Sequence, residues 1–267
     1  MNKKKKLKRP VASFIILTNI IFLPLFCLVG AVKMLGFPTW VFDIVRCLSA
    51  WSSTFAFAIL FSKIYPGQHF LHFVKQKFKN QLRFSVILSA LLIQATIFMI
   101  ILLLVMKNTQ ADAILTISSW GMLSYFFFKN LLSGPIGEEL GWRGFALLEL
   151  QKKYGSLQSA IIIGFWWGIW HLPIWFTTGL TGLELLKYII FFMLSIISTT
   201  IIITAFYTIN QNLIIPIMIH QFFNFFIGII NDNLIILMMY NAILYSIAAF
   251  LLILMNPNKV WSNKPSQ

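Results

Sequence analysis

The sequence has few charged residues and very few acidic ones. Only 10% of its 267 residues are charged, with seven acidic side chains against 21 basic ones, whereas 59% are hydrophobic. A soluble globular domain carries about 25% charged residues and somewhat under half apolar ones, so the composition excludes that class. Intrinsic disorder is excluded as well, because disordered segments are poor in aromatic residues, which make up 16% of this chain.

Cysteine is also scarce, and its placement excludes a disulfide framework. Cys27 and Cys47 both lie in apolar segments, and neither has a metal-ligating neighbour. The net charge of +14 does not indicate nucleic acid. Basic residues lie mainly in short polar gaps between apolar runs, which is typical of contact with anionic lipid, whereas nucleic-acid binding requires a basic face or stripe. We therefore predict a lipid bilayer as a partner, and no nucleic acid.

Long apolar segments dominate the chain. A helix needs about 20 mostly apolar residues to cross a bilayer core about 30 Å thick. The sequence predicts an all-α, polytopic membrane helix bundle of about eight transmembrane helices, with residues 1–267 forming a single membrane domain. The eight segments lie at roughly 12–35, 40–62, 84–106, 117–150, 157–178, 184–209, 212–230 and 233–255.

The distribution of basic residues predicts the orientation. With a cytoplasmic N-terminus, 15 of the 21 basic residues fall on the inner side, as the positive-inside rule requires. An even number of spans then places both termini in the cytoplasm. We interpret the first span as retained rather than cleaved, and Lys63–Arg83 as a stretch lying along the inner surface. The lysine-, isoleucine- and asparagine-rich composition favours the plasma membrane of a bacterium.

Three short motifs place polar groups inside apolar segments. An ionised side chain near the bilayer centre costs on the order of 2.5–3.5 kcal/mol, so such groups are usually functional. The motifs are LSGPIGEELGWRG at Leu132–Gly144, FWWGIWHLP at Phe165–Pro173 and IHQFFN at Ile219–Asn224. Glycine and proline in the first motif predict a break in its helix, which is tolerated at depth only where protein or water satisfies the backbone.

The first motif contains two adjacent carboxylates. Glu139 and Arg143 are four residues apart and share a helix face, which predicts an ion pair. Glu138 points about 100° away and has no local cation, so it is the candidate general base. A purely structural ion pair is the alternative.

The other two motifs supply histidines. His171 follows several tryptophans and is, by itself, equally typical of an interfacial residue. His220 and Asn224 share a helix face and are either site residues or hydrogen-bonding contacts between helices. Helical rise places Glu138, His171 and His220 at broadly similar depths, so the three segments predict one polar cavity suited to hydrolysis.

Other protease chemistries lack their residues. The chain contains no HExxH motif, Ser133 lacks a local base, and the three aspartates lie near the ends of spans. A carboxylate–histidine site remains.

The motifs EExxxR (Glu138, Glu139, Arg143), an aromatic residue four before His171, and HxxxN (His220, Asn224) resemble the CAAX protease and bacteriocin-processing family, also called the Abi family of intramembrane metalloproteases. The resemblance covers roughly residues 115–230. At one position the sequence departs from the family pattern: Trp167 stands where the family has phenylalanine.

The resemblance implies an eight-helix fold and peptide-bond cleavage at the membrane. In that scheme Glu138 and His171 activate water, and His220 and Asn224 hold the oxyanion. The positions with supporting roles are Glu139, Arg143 and Trp167. Family members are called metalloproteases, but a metal-free glutamate mechanism has also been proposed. Glu138, His171 and His220 would be the three ligands of a zinc ion if one is bound.

The sequence therefore favours an intramembrane endopeptidase acting on a membrane-associated peptide or protein. In a bacterium, processing of peptide precursors or bacteriocin self-immunity is the expected context. Two alternatives stay open: a non-catalytic membrane protein for immunity or scaffolding, and a small transporter in which Glu138 carries a proton.

Overall fold

The structure is a computed structural model that describes residues 7–108 and 115–261. These residues form an all-α bundle whose outer faces carry many exposed large hydrophobic side chains, as expected for contact with lipid. The predicted fold class, an all-α membrane helix bundle, is confirmed. In chain order the helices are α1 (Pro10–Met34), α2 (Thr39–Ala50), α3 (Ser52–Ile64), α4 (Phe70–Lys77), α5 (Phe84–Asn108), α6 (Trp120–Leu132), α7 (Pro135–Gly141), a π-helical turn (Trp142–Leu147), α8 (Leu148–Gln151), α9 (Ser156–Trp170), α10 (Leu172–Trp175), α11 (Gly182–Ile209), α12 (Ile214–Gly228), α13 (Leu234–Met255) and a 3₁₀ turn (Pro257–Lys259).

Within the described ranges, four helices are long and apolar enough to cross a membrane: α1, α5, α11 and α13. Helices α2 and α3 meet at an angle of 45° and provide a fifth span if they are taken together. Of the other predicted spans, 117–150 and 157–178 are divided into shorter helices where glycine or proline interrupts them. The span at 212–230 is the single 15-residue helix α12. The topology with both termini in the cytoplasm stays a prediction.

The predicted span at 117–150 is not one continuous helix. Helix α6 ends at Leu132, and α7 begins at Pro135, whose missing N–H suits the first turn of a helix. A π-helical turn then follows α7, a local feature that often marks functional sites. The break that Gly134 and Pro135 predicted is therefore present, and it lies directly before the two glutamates.

The corner between α2 and α3 satisfies the backbone at this break. Trp51 Nε1 donates to the carbonyl of Leu132 at 2.8 Å, and Thr54 Oγ1 donates to the carbonyl of Gly137 at 2.7 Å. Gly137 lies so close to Trp51 that a Cβ there would overlap the indole ring. These contacts supply the hydrogen bonds that irregular backbone needs inside a membrane.

Helix α9 packs closely against α11 through two glycines one turn apart. A Cβ at Gly164 would lie 2.9 Å from Ile197 Cα, and one at Gly168 would overlap the sulfur of Met193. Small residues permit close approach of membrane helices. The approach fixes the depth and rotation of α9, and with them the positions of Trp167 and His171.

The predicted surface stretch, Lys63–Arg83, contains α4, none of whose residues is buried. Asn212 Nδ2 donates to the carbonyl of Asn80 at 2.7 Å and so ties this stretch to the end of α11. Tyr65 donates to Glu149 Oε1 at 2.5 Å. Burial and the bonded Glu149 carboxylate raise the pKa of Tyr65, so its phenol remains a donor at neutral pH.

Candidate active site

Side chains from three parts of the chain meet at the break after α6. Glu138 and Glu139 lie on α7, His171 directly follows α9, and His220 and Asn224 lie on α12. Glu138 is 4% exposed and Glu139 fully buried, whereas His171 and Asn224 are partly exposed. The site therefore has a buried, charged interior and one open edge.

Glu139 is the centre of the buried network. Its Oε1 accepts hydrogen bonds from Arg143 Nη1 at 2.9 Å and from His220 Nδ1 at 2.7 Å. Arg143 Nη2 also donates to Thr200 Oγ1 on α11, at 3.0 Å. The predicted ion pair between Glu139 and Arg143 is present. The contacts with His220 and Thr200 were not predicted, because they join residues far apart in the sequence.

Glu138 faces away from this ion pair, as the helix geometry predicted. Its Oε2 accepts a hydrogen bond of 2.7 Å from Trp167 Nε1. No donor among the described residues reaches the other oxygen, Oε1. A methyl group at Gly134 would lie 3.6 Å from Oε1 and 3.5 Å from Asn224 Nδ2. Glu138 Oε1 and the amide of Asn224 thus border the same small space beside a glycine.

Both histidines use Nδ1 for a structural hydrogen bond. His171 Nδ1 is 2.7 Å from the carbonyl of Trp167, and His220 Nδ1 contacts Glu139. A carbonyl or carboxylate oxygen can only accept, so Nδ1 carries the proton, and Nε2 of a neutral ring is free to accept one. The ring centroids of His171 and His220 lie 5.6 Å and 4.8 Å from that of Trp167.

The zinc set suggested by the resemblance does not fit this geometry. Within the described residues, no group of three His, Cys, Asp or Glu side chains is arranged to hold a metal ion. Each of the three candidate ligands instead contacts Trp167: Glu138 accepts its indole N–H, and the rings of His171 and His220 pack edge-on against it. We therefore assign no step of the mechanism below to a metal.

The sequence did not reveal what Trp167 does. This residue departs from the family pattern, and the resemblance implied only a supporting role for it. In the structure it is fully buried, donates to Glu138, and has the guanidinium carbon of Arg143 at 4.0 Å from its ring centroid. The one signal for this role in the sequence is that the residue is tryptophan, because its indole has an N–H to donate and phenylalanine has none.

The fold and the site together define a polytopic membrane protein with a buried carboxylate–imidazole centre beside a helix break. Comparison with known proteins shows which family within this class the chain resembles. Residues 118–226 match the family model described as Type II CAAX prenyl endopeptidase Rce1-like. The matched segment includes every predicted site residue from Glu138 to Asn224. The resemblance to the CAAX protease and bacteriocin-processing family is therefore confirmed.

A curated relative supports the same resemblance. The chain is 36% identical over 96 residues to CAAX prenyl protease 2 of Methanococcus maripaludis, an alignment that covers 34% of this chain. The chain spans about a third of that relative's length, 35%. The similarity thus concerns one segment of each protein.

Proposed function

We propose that this chain is an intramembrane endopeptidase that hydrolyses peptide bonds of membrane-associated peptides or proteins in a bacterial plasma membrane. The observation that carries the proposal is the state of Glu138. One carboxylate oxygen is held by Trp167, and the other borders the same space as the Asn224 amide. A fixed base beside a hydrogen-bond donor is what addition of water to a peptide carbonyl requires. The match to an endopeptidase family supports the same reaction.

In this mechanism water occupies the space beside Gly134. Glu138 Oε1 takes its proton, assisted by His171 Nε2, as the oxygen attacks the peptide carbonyl. Asn224 Nδ2 donates to the developing oxyanion. His220 is the second donor, through Nε2 of a doubly protonated ring whose Nδ1 is held by Glu139. The proton then passes from Glu138 to the leaving amine, and the C–N bond breaks.

Each donor contributes to the rate by binding the transition state more tightly than the substrate. Removal of one oxyanion donor from a protease costs about 3–4 kcal/mol of barrier. Arg143 is bound to Glu139 and Thr200, and so it holds the network in place. The proposed reaction needs only these side chains and water.

Reconstitution of the purified protein in liposomes tests the proposal. The probe is a library of fluorogenic peptides with an acyl or prenyl anchor, because the relative is named a prenyl protease. We expect wild type to cleave at least one peptide and E138Q to lose about 100-fold or more in rate. E184Q, which removes an exposed carboxylate on α11, is the matched control and should cleave like wild type.

Two results would overturn the proposal. One is an E138Q variant as active as E184Q on every cleaved peptide. The other is the absence of cleavage by wild-type protein that is folded and reconstituted. The second result favours the non-catalytic role in immunity or scaffolding, which is then tested by protection of cells carrying E138Q.

A further inference from the structure

We propose that Trp167 is a positioning residue for Glu138: its indole N–H holds Oε2 and thereby leaves Oε1 facing the reaction space. The catalytic consequence rests on the proposed function. The hydrogen bond itself does not, and it can be tested separately.

The burial of both partners makes this hydrogen bond important. Trp167 is fully buried, Glu138 is 4% exposed, and the N–O distance is 2.7 Å. A buried carboxylate needs donors to compensate for lost hydration. No other described residue donates a hydrogen bond to the Glu138 carboxylate. Rotation of the carboxylate would break this bond, so the bond also fixes the direction of Oε1.

The ring of Trp167 has a second role, because it lies against Arg143. The guanidinium carbon is 4.0 Å from the ring centroid, a distance typical of a cation–π contact. The hydrogen bonds of Arg143 go to Glu139 and Thr200. Arg143 therefore neutralises Glu139 directly, whereas Glu138 receives a neutral donor that is stacked on the same cation.

This difference assigns separate roles to two adjacent carboxylates. A direct ion pair would occupy the oxygens of Glu138 and weaken it as a base. A single neutral N–H holds one oxygen and leaves the other free. The phenylalanine of the family pattern could pack against Arg143 and the histidine rings but could not donate. In this chain the aromatic position has thus gained a hydrogen bond to the proposed base.

Trp170 on helix α9 is a matched control for Trp167. Trp170 is also buried, at 2% exposure, and packs against Phe22 and Trp142. Its Nε1 has no hydrogen-bond partner among the described residues. W167F and W170F therefore remove the same atoms from the same helix, but only W167F removes a hydrogen bond.

Nuclear magnetic resonance tests the hydrogen bond without any activity. Protein labelled with ¹⁵N at the tryptophan indoles is prepared in detergent micelles, and the Trp167 signal is identified by its absence from W167F. We expect its proton to resonate downfield of the Trp170 indole proton and to move upfield in E138Q, while the Trp170 signal stays in place. A Trp167 signal that E138Q leaves unchanged would overturn the proposal.

Kinetics test the positioning role. On a peptide that wild type cleaves, we expect W167F to lower kcat about 10- to 100-fold, the loss of one hydrogen bond to a charged group, with KM within about twofold. W170F should retain the wild-type kcat. Equal kcat values for W167F and W170F would reject the positioning role, whereas an active E138Q would reject the proposed function instead. If W167F fails to fold, incorporation of 3-benzothienylalanine at position 167 replaces the indole N–H by sulfur in a ring of nearly the same size, and its kcat is compared with that of the same replacement at position 170.

Discussion

Glu139 on α7 and His220 on α12 are joined by a 2.7 Å hydrogen bond, although 81 residues separate them. The same carboxylate oxygen also binds Arg143, so Glu139 compensates a buried cation and orients an imidazole at once. Both partners of this bond are almost completely buried, with side-chain exposures of 2% for His220 and 0% for Glu139. The stability of the fold and the geometry of the site thus depend on one side chain.

Replacing Glu139 should therefore destabilise the protein strongly. In E139Q the Arg143 guanidinium loses its counter-charge in a fully buried position, which typically costs about 3–5 kcal/mol. The free energy of unfolding, measured by titration of mixed micelles with a denaturing detergent, should fall by that amount. E184Q removes a carboxylate that is exposed, so its free energy of unfolding should equal that of wild type. Identical unfolding of E139Q and E184Q would contradict a buried ion pair.

Filling the space beside Glu138 should stop catalysis without unfolding the protein. The methyl group of G134A would make ordinary van der Waals contacts, at 3.5 Å with Asn224 Nδ2 and 3.6 Å with Glu138 Oε1. It would occupy the position assigned to water, and we expect about a 100-fold lower rate, as for other small displacements in active sites. G155A, whose methyl would meet no atom within 4 Å, is the control. Wild-type rates in G134A would place the reacting water elsewhere.

Gly141 should be needed for packing. A Cβ there would lie 2.8 Å from the carbonyl oxygen of Ser53, so α7 and α3 would have to move apart. Overpacking of this kind costs about 1–3 kcal/mol. The unfolding free energy of G141A should fall by this amount relative to G155A. An unchanged value would show that α7 can shift away from α3 freely.

Chelation of metal ions should leave the rate of peptide cleavage unchanged. The described residues offer no convergent group of three metal ligands, and the proposed steps use only protein side chains and water. We expect the initial rate to be the same before and after dialysis against 1,10-phenanthroline, and elemental analysis to find no stoichiometric zinc. Loss of activity that zinc restores would show that Glu138, His171 and His220 converge on an ion when the enzyme is active.

The local part of the site could be predicted because helix geometry determines it. Glu139 and Arg143 are four residues apart, so their pairing and the divergence of Glu138 follow from the rotation per residue. The break before Glu138 follows from Gly134 and Pro135. The number of long spans could not be predicted equally well, because apolar composition does not distinguish a continuous helix from several short ones.

The amino-acid sequence by itself determined that the chain is a membrane helix bundle. It also determined which polar side chains lie within the bundle, since the apolar segments contain few ionisable residues. Only the tertiary structure decided which donor each carboxylate receives. Thr200, His220 and Trp167 reach their partners across helix interfaces, and the approach of those helices depends on glycine contacts that no sequence spacing encodes. Sequence periodicity determines which residues share one face of a helix, whereas packing determines which face of a neighbouring helix they contact.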